Sequence, residues 1–181
     1  MSTRIPCSFF RRPAKEVAQK IIGSHLIFQP TRDLKYRVKI VETEAYVGAQ
    51  DLACHASKGR TNRTSTMYLP GGVAYIYFVY GMYHMFNIVT GPKDHPEAVL
   101  IRAGECLSHP DLDLSGPGKF TRELGLDRAW NSKSLCSKSL YFRRGTLPLK
   151  ISKSARIGVA YAGAWAPRKL RFFDPASDAV S

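Results

Sequence analysis

The chain has 181 residues, the length of a single globular domain, and its 44% hydrophobic content is ordinary for a protein with a real core. Its 27 Lys and Arg against 14 Asp and Glu leave a formal charge of +13, spread along the chain, so a folded basic surface is expected. Such a surface suits phosphate backbones ahead of anionic membranes or simple solubility. The longest apolar run, near Val73 to Val79, is too short and too aromatic for a bilayer span. Cys7, Cys54, Cys106 and Cys136 lie far apart and form no C-x-x-C pair, so neither a zinc ribbon nor a cysteine-ligated cluster is signalled and reduced, structural thiols are expected. A soluble, intracellular protein without a membrane partner is expected, in cytoplasm or nucleoid if bacterial and in the nucleus if eukaryotic.

Pro13 to Ile22 reads as a helix, with proline in its first turn and Gly23 as its stop, burying Val17, Ile21 and Ile22. From Tyr36 the residues alternate: Tyr36, Val38 and Ile40 face one way, Arg37 and Lys39 the other, which is a half-buried strand. Continued, the apolar parity places Glu42 and Glu44 on the inner face. Carboxylates there are costly to desolvate, so they mark either chemistry or a buried structural ion pair, and the pattern does not choose between the two glutamates.

Asp51 to Pro70 is polar and contains His55, Lys58, Arg60 and Arg63, so it reads as a long surface connection presenting positive charge. Gly71-Gly72 leads into an aromatic strand from Val73 to Tyr80, followed by Gly81-Met82 and a second strand from Tyr83 to Val89. Glycine first in a two-residue loop predicts a type II′ hairpin with Tyr80, Met82 and Tyr83 at its tip. Phe78, Val79 and Ile88 are expected in the core. Large apolar groups at a hairpin tip predict a contact, either another protein or a wedge between base pairs.

Ala98 to Ala103 is a further strand whose single charge, Arg102, wants an acidic partner. Gly116-Pro117-Gly118-Lys119 opens a helix through Leu124, closed by Gly125, with a lysine near an N-terminus that could seat phosphate. Leu140–Phe142, Leu147–Ile151, Arg156–Tyr161 and Leu170–Phe173 are short strand candidates, and Asp174 onward reads as a polar tail.

Val41-Glu42-Thr43-Glu44-Ala45-Tyr46, Asp51 to His55, Gly59-Arg60-Thr61, the Tyr75 to Asn87 hairpin, Leu100-Ile101-Arg102-Ala103, Gly116-Pro117-Gly118-Lys119 and Ala155-Arg156-Ile157-Gly158-Val159 stand in one order and spacing. Together they resemble the alkyladenine (3-methyladenine) DNA glycosylase family, over nearly everything from the first helix to Phe173. The resemblance implies a single α+β domain over residues 1–181, with a curved, mostly antiparallel sheet, flanking helices and a protruding hairpin that intercalates into DNA. It implies a monofunctional, monomeric hydrolase of base excision repair that needs no cofactor or metal. Its partner is double-stranded DNA containing damaged purines of the 3-methyladenine, 7-methylguanine and hypoxanthine class.

The resemblance selects Glu44 over Glu42 as the base that activates water, assisted by Arg102 and the backbone carbonyl of Ile157. It assigns Tyr46 and Tyr77 to the two faces of the flipped base, His55 to its edge and Asn87 to discrimination against guanine. Tyr80 becomes the intercalating residue, with Met82 and Tyr83 in the groove, and Arg60, Thr61, Arg63 and Lys119 become phosphate contacts. One departure lies in the basic loop, where Asn62 stands in place of a common proline. A non-cleaving binding module, an RNA-directed protein and a protein-interaction domain are the competing readings.

Overall fold

The computed structural model describes residues 3–79 and 81–181. Two helices, α1 (Ala14–Lys20) and α2 (Pro117–Leu124), accompany eight strands among the described residues. The strands are β1 (His25–Phe28), β2 (Tyr36–Tyr46), β3 (Ala74–Val79), β4 (Tyr83–Thr90), β5 (Glu97–Cys106), β6 (Leu140–Arg143), β7 (Ser152–Ser154) and β8 (Arg171–Phe173). They form one curled, antiparallel sheet in the order β3-β4-β5-β2-β1-β6, with β8 pairing both β2 and β7. This is the α+β architecture expected.

One face of the sheet carries the main core. Leu26 and Phe28 of β1, Ile76 of β3, Phe86 and Ile88 of β4, and Val99 and Ile101 of β5 pack there with Val17 of α1 and with Phe120 and Leu124 of α2. The first helix is shorter than the sequence pattern suggests, although Ile21 and Ile22 just beyond it are fully buried. The α2 helix has its expected bounds, with Gly125 in the left-handed conformation after its last turn.

The alternation in β2 does not continue as the sequence suggests. Ile40 pairs with Gly104, Glu42 with Ala103 and Thr43 with Ile101, so Val41 and Arg102 are each skipped in the ladder. A bulge of this kind reverses the parity of the strand. Val38 and Ile40 lie in the core before it, and Ala45 after it, while the Thr43 hydroxyl donates to the carbonyl of Ala18 behind α1. Glu42, Glu44 and Tyr46 therefore lie on the opposite face from Val38 and Ile40, contrary to the parity argument, and that face is also buried.

Several other expectations need correction. Cys7 and Cys136 are joined in a disulfide, with only Cys54 and Cys106 remaining as buried thiols. Their distance in sequence hides a proximity created by pairing of residues 4 and 5 with β6. Asp51 to Pro70 is no surface loop: Asp51, Ala53, Cys54, Ala56, Thr66 and Met67 are buried, and short 3-10 turns at His55–Lys58 and Ser65–Tyr68 fold the segment onto the sheet. Cys54, Ala56 and Met67 form a second small core with Tyr75, Val89 and Ala98.

In the hairpin, Val79 pairs with Tyr83, so three residues separate the paired ends instead of two, and Gly81 adopts φ +69°. Phe78 is 43% exposed and lies against His84 instead of entering the core. Leu147–Ile151 is not a strand, and Leu147 and Leu149 project into solvent. Arg156–Tyr161 forms turns entering a 3-10 segment at Ala160–Trp165. The segment after Asp174 is anchored, because Asp174 is buried and Ser181 donates both its backbone N–H and its hydroxyl to Glu42.

Candidate active site

Behind the core face, β2 to β5 line a cavity of about 190 Å³, closed on its other sides by the 53–67 segment and by Ile157 to Tyr161. Tyr46, His55, Tyr77, Asn87, Arg102 and Ile157 all contribute to its wall. Clefts for larger ligands typically span roughly 300–1,000 Å³, so this one is scaled to a single small group.

Glu44 lies directly behind this wall, fully buried. Its Oε1 accepts the backbone N–H of Ile157 at 2.8 Å and lies 3.4 Å from Arg102 Nη1, while its Oε2 accepts the hydroxyl of Tyr46 at 2.8 Å. Burial raises the Glu44 pKa, against the opposing pull of Arg102, the Ile157 amide and the Tyr46 hydroxyl, with Glu42 adding to the rise. A carboxylate so placed is a stronger base than one in water.

Glu42 differs. Its Oε1 accepts Arg102 Nε at 2.7 Å and Arg171 Nε at 2.6 Å, and its Oε2 accepts the amide and hydroxyl of Ser181 at 2.7 and 2.8 Å. All four acceptor positions of this carboxylate are occupied, leaving none for a water or substrate. Arg102 thus finds the acidic partner its sequence demanded, but the closer one is Glu42, with Glu44 second.

Tyr46 is held from two sides. Its hydroxyl is bound to Glu44, and the guanidinium of Arg156 lies 4.7 Å from its ring centroid. Arg156 forks onto buried Asp51, with Nη1–Oδ2 2.5 Å and Nη2–Oδ1 2.8 Å, and also donates to the carbonyl of Ala45. Asp51 in turn accepts the amides of Val47 and Ala53. The sequence pattern assigns no role to Arg156 or Asp51, yet the rule that singles out Arg102 applies to Arg156 as well: one charge in the apolar run Ala155 to Val159 needs a partner.

His55 Nδ1 lies 3.0 Å from the Tyr75 hydroxyl, and its ring meets Tyr77 edge-on at 4.5 Å. Burial, then the charges of Arg63 and Lys58, push its pKa down to about 4, so the imidazole is neutral near pH 7. Asn87 is buried and commits both amide protons, to the carbonyls of Tyr75 and Met85 at 3.1 Å each. Tyr75, whose hydroxyl burial pushes up to about 12, was expected only as part of an aromatic strand.

The remaining residues lie around the mouth or outside it. Met82 is 64% exposed, and Tyr83 packs so closely on Gly118 that a Cβ there would lie 2.8 Å from its ring. Tyr80 lies outside the described residues. Arg63 stands 5.2 Å from the Tyr77 ring, Arg60 is exposed 3.7 Å from Asp94, and the Thr61 amide donates to Thr64. Lys119 is exposed and bound to Asp113 at 2.7 Å. No group of three or more His, Cys, Asp or Glu suited to a metal occurs among the described residues, and no helix among them is long and apolar enough to cross a membrane.

The profile of the methylpurine-DNA glycosylase family matches residues 8–178. A Myxococcus xanthus protein, provisionally named a 3-methyladenine DNA glycosylase, is 45% identical over 181 residues, covering 98% of this chain and 93% of its own length. Relatives bearing the same provisional name are 41% identical in Methanocella arvoryzae, covering 98% and 95%, and 39% identical in Legionella pneumophila strain Lens, covering 94% and 93%.

Proposed function

Because this chain belongs to the methylpurine-DNA glycosylase family, we propose that its cavity receives an alkylated or deaminated purine flipped out of duplex DNA and that Glu44 activates the water that releases it. The observation that carries this reading is the contrast between the two carboxylates. Glu42 is saturated by two arginines and Ser181, whereas Glu44 stands behind the cavity wall, bound to the wall residues Tyr46 and Ile157, with its pKa raised and an acceptor position still open on Oε2.

In this reaction Glu44 takes a proton from water as the oxygen bonds to C1′ and the C1′–N bond breaks, its electron pair going to the base. A cationic methylated purine leaves as a neutral molecule. A neutral base such as hypoxanthine must gain a proton as it leaves. Arg102 offsets the Glu44 charge in the resting site and, with the Ile157 backbone, keeps the carboxylate aligned. General-base assistance supplies about a hundred- to ten-thousand-fold, with the rest coming from alignment and leaving-group activation.

Tyr46 and Tyr77 offer electron-rich faces to a cationic base, a preference worth roughly 0.5–2 kcal/mol over its unmodified counterpart. Neutral His55 reads the base edge by hydrogen bonding. Asn87 is held by its two amide bonds and cannot swing aside for the exocyclic amine of guanine. Residues 1–181 act as a single glycosylase domain, with Tyr80 as the wedge and Met82 and Tyr83 against the groove. Arg60, Thr61, Arg63 and Lys119 meet phosphates, Lys119 by exchanging Asp113 for a backbone oxygen.

The test is to incubate the protein with chelator and labelled duplexes carrying hypoxanthine or a methylated purine, and to score alkali-labile abasic sites. Wild type is expected to release the base without cutting the strand. Glu44→Gln is expected to bind the lesion and lose release by at least a hundredfold or so. Normal release by Glu44→Gln overturns the assignment of the base, and lesion binding by wild type without release on any substrate favours a non-cleaving module.

A further inference from the structure

A second depression, of about 360 Å³, lies on the same sheet face as the active-site cavity but toward the other end of β2. Cross-strand register aligns Tyr141, Ile27 and Arg37 in one row over β6, β1 and β2, and Arg143, His25 and Lys39 in the next. These rows point away from the core, which is filled by their neighbours Leu26, Phe28, Val38 and Phe142. Lys35 and Ser108 complete the rim, and no acidic side chain lines it.

The cations of this face differ in their partners. Lys39 reaches Glu105 at 3.3 Å and Asp174 at 3.6 Å. Lys35, Arg37 and Arg143 make no salt bridge among the described residues, and Arg143 Nε is buried without any hydrogen-bond partner. Arg4 adds a guanidinium 4.2 Å from the centre of the Tyr141 ring. The surroundings act on His25 accordingly: burial, then the charges of Arg37 and Lys39, lower its pKa. A concave site lined by unpaired cations, with an N–H left over, is completed by an oxyanion.

We propose that this depression is a second phosphate-binding site, occupied by DNA backbone away from the nucleotide in the active-site cavity. The choice of DNA rests on the family assignment, whereas the anion site rests on the geometry alone. Arg37 and Tyr46 lie near opposite ends of the 11-residue β2. At 3.3 Å per residue that separates them by up to roughly 30 Å, or about nine base pairs at 3.4 Å each. The site therefore meets either the far flank of the damaged duplex or a different duplex, and gives the enzyme a hold on DNA that does not depend on a lesion.

Labelled full-length protein titrated with an undamaged 12-base-pair duplex, and separately with inorganic phosphate, tests this by the backbone amide shifts of His25, Ile27, Arg37 and Arg143. Saturable shifts with the duplex are expected, with phosphate competing at higher concentration. K35Q/R37Q, at two exposed positions, is expected to weaken that set of shifts about tenfold and to flatten the log-log salt dependence of binding by about 0.9 for each phosphate no longer neutralised. Single-turnover release from a lesion duplex should be unchanged in the variant. K150Q/K153Q, the same charge change elsewhere on the surface, should leave the four amides at wild-type affinity. Static amides with both titrants overturn the site, shifts with phosphate alone overturn its assignment to DNA, and equal weakening by both double variants reduces it to net charge. A wild type that releases no base from any lesion would sink the glycosylase reading while leaving these shifts intact.

Discussion

The hydroxyl of Tyr46 is one of three donors that keep the Glu44 pKa from rising further. Tyr46→Phe retains the ring and removes that donor, so the Glu44 carboxyl is expected to titrate at higher pH. The acidic limb of kcat/KM should move upward. His55 gives the opposite sign. Its folded pKa of about 4 lies below the ordinary 6.5, so the unfolded chain binds the extra proton between those values. The stability from neutral His55 is complete above pH 6.5 and is lost as pH falls toward 4, and thermal unfolding over that range should be less pH-dependent in His55→Gln. The presence of two unusual glutamates was legible in the sequence because carboxylates interrupt an apolar pattern. Which of the two is saturated was not legible in the alternation, and only the resemblance chose Glu44, since the saturation of Glu42 depends on Arg171 and Ser181, far away in the chain and ordinary in their local composition.

At the scale of elements, the Arg156–Asp51 fork ties the turn after β2 to the segment carrying Ile157, and so holds together the two sides of the Glu44 site. Both side chains are fully buried. Removing one partner leaves an uncompensated charge, so Arg156→Met is expected to cost about 3–5 kcal/mol in urea unfolding. Asp51→Asn should fall in the same direction by less, because the amide keeps one acceptor for the fork. Local periodicity and turn chemistry were enough to read α2, β6 and most of the β3–β4 pairing. They failed where burial came from irregular backbone: the 51–70 segment reads as polar, but its small and sulfur-bearing residues fall at the inward positions of two 3-10 turns. Leu147 and Leu149 failed in the reverse sense, because apolar residues next to Pro148 have no neighbouring strand to pair with.

For the molecule as a whole, the disulfide between Cys7 and Cys136 closes most of the chain into one covalent loop, with a sequence separation of 129. By loop-closure entropy such a link is worth about 4–5 kcal/mol. Cys7→Ser is expected to lower Tm by roughly 8–20 °C without reductant and to match reduced wild type when both are measured with it. Equal Tm values for oxidised protein and Cys7→Ser would show that the bond adds no stability. The bond fastens a segment that pairs with β6 at residues 4 and 5 and meets Gly91 after β4 at residues 10 and 12, none of which hydrogen-bonds to Glu44 or its partners, so base release should survive its loss at temperatures where the fold does. The sequence could disclose the general architecture through recurring motifs, but not this closure, because nothing local to either cysteine encodes the other.

The paired skips at Val41 and Arg102 give the sheet something like a frame shift written in side chains instead of codons. Upstream of it, even-numbered residues of β2 belong to the core; downstream, odd-numbered ones do. A regular strand through this point would turn Thr43 and Ala45 toward the cavity and drive Glu44 into the hydrocarbon, while leaving every residue of the motif unchanged. The side on which the two glutamates stand is therefore set by the irregularity and by no letter of the motif, and descent can vary the residues around them more freely than it can straighten the strand.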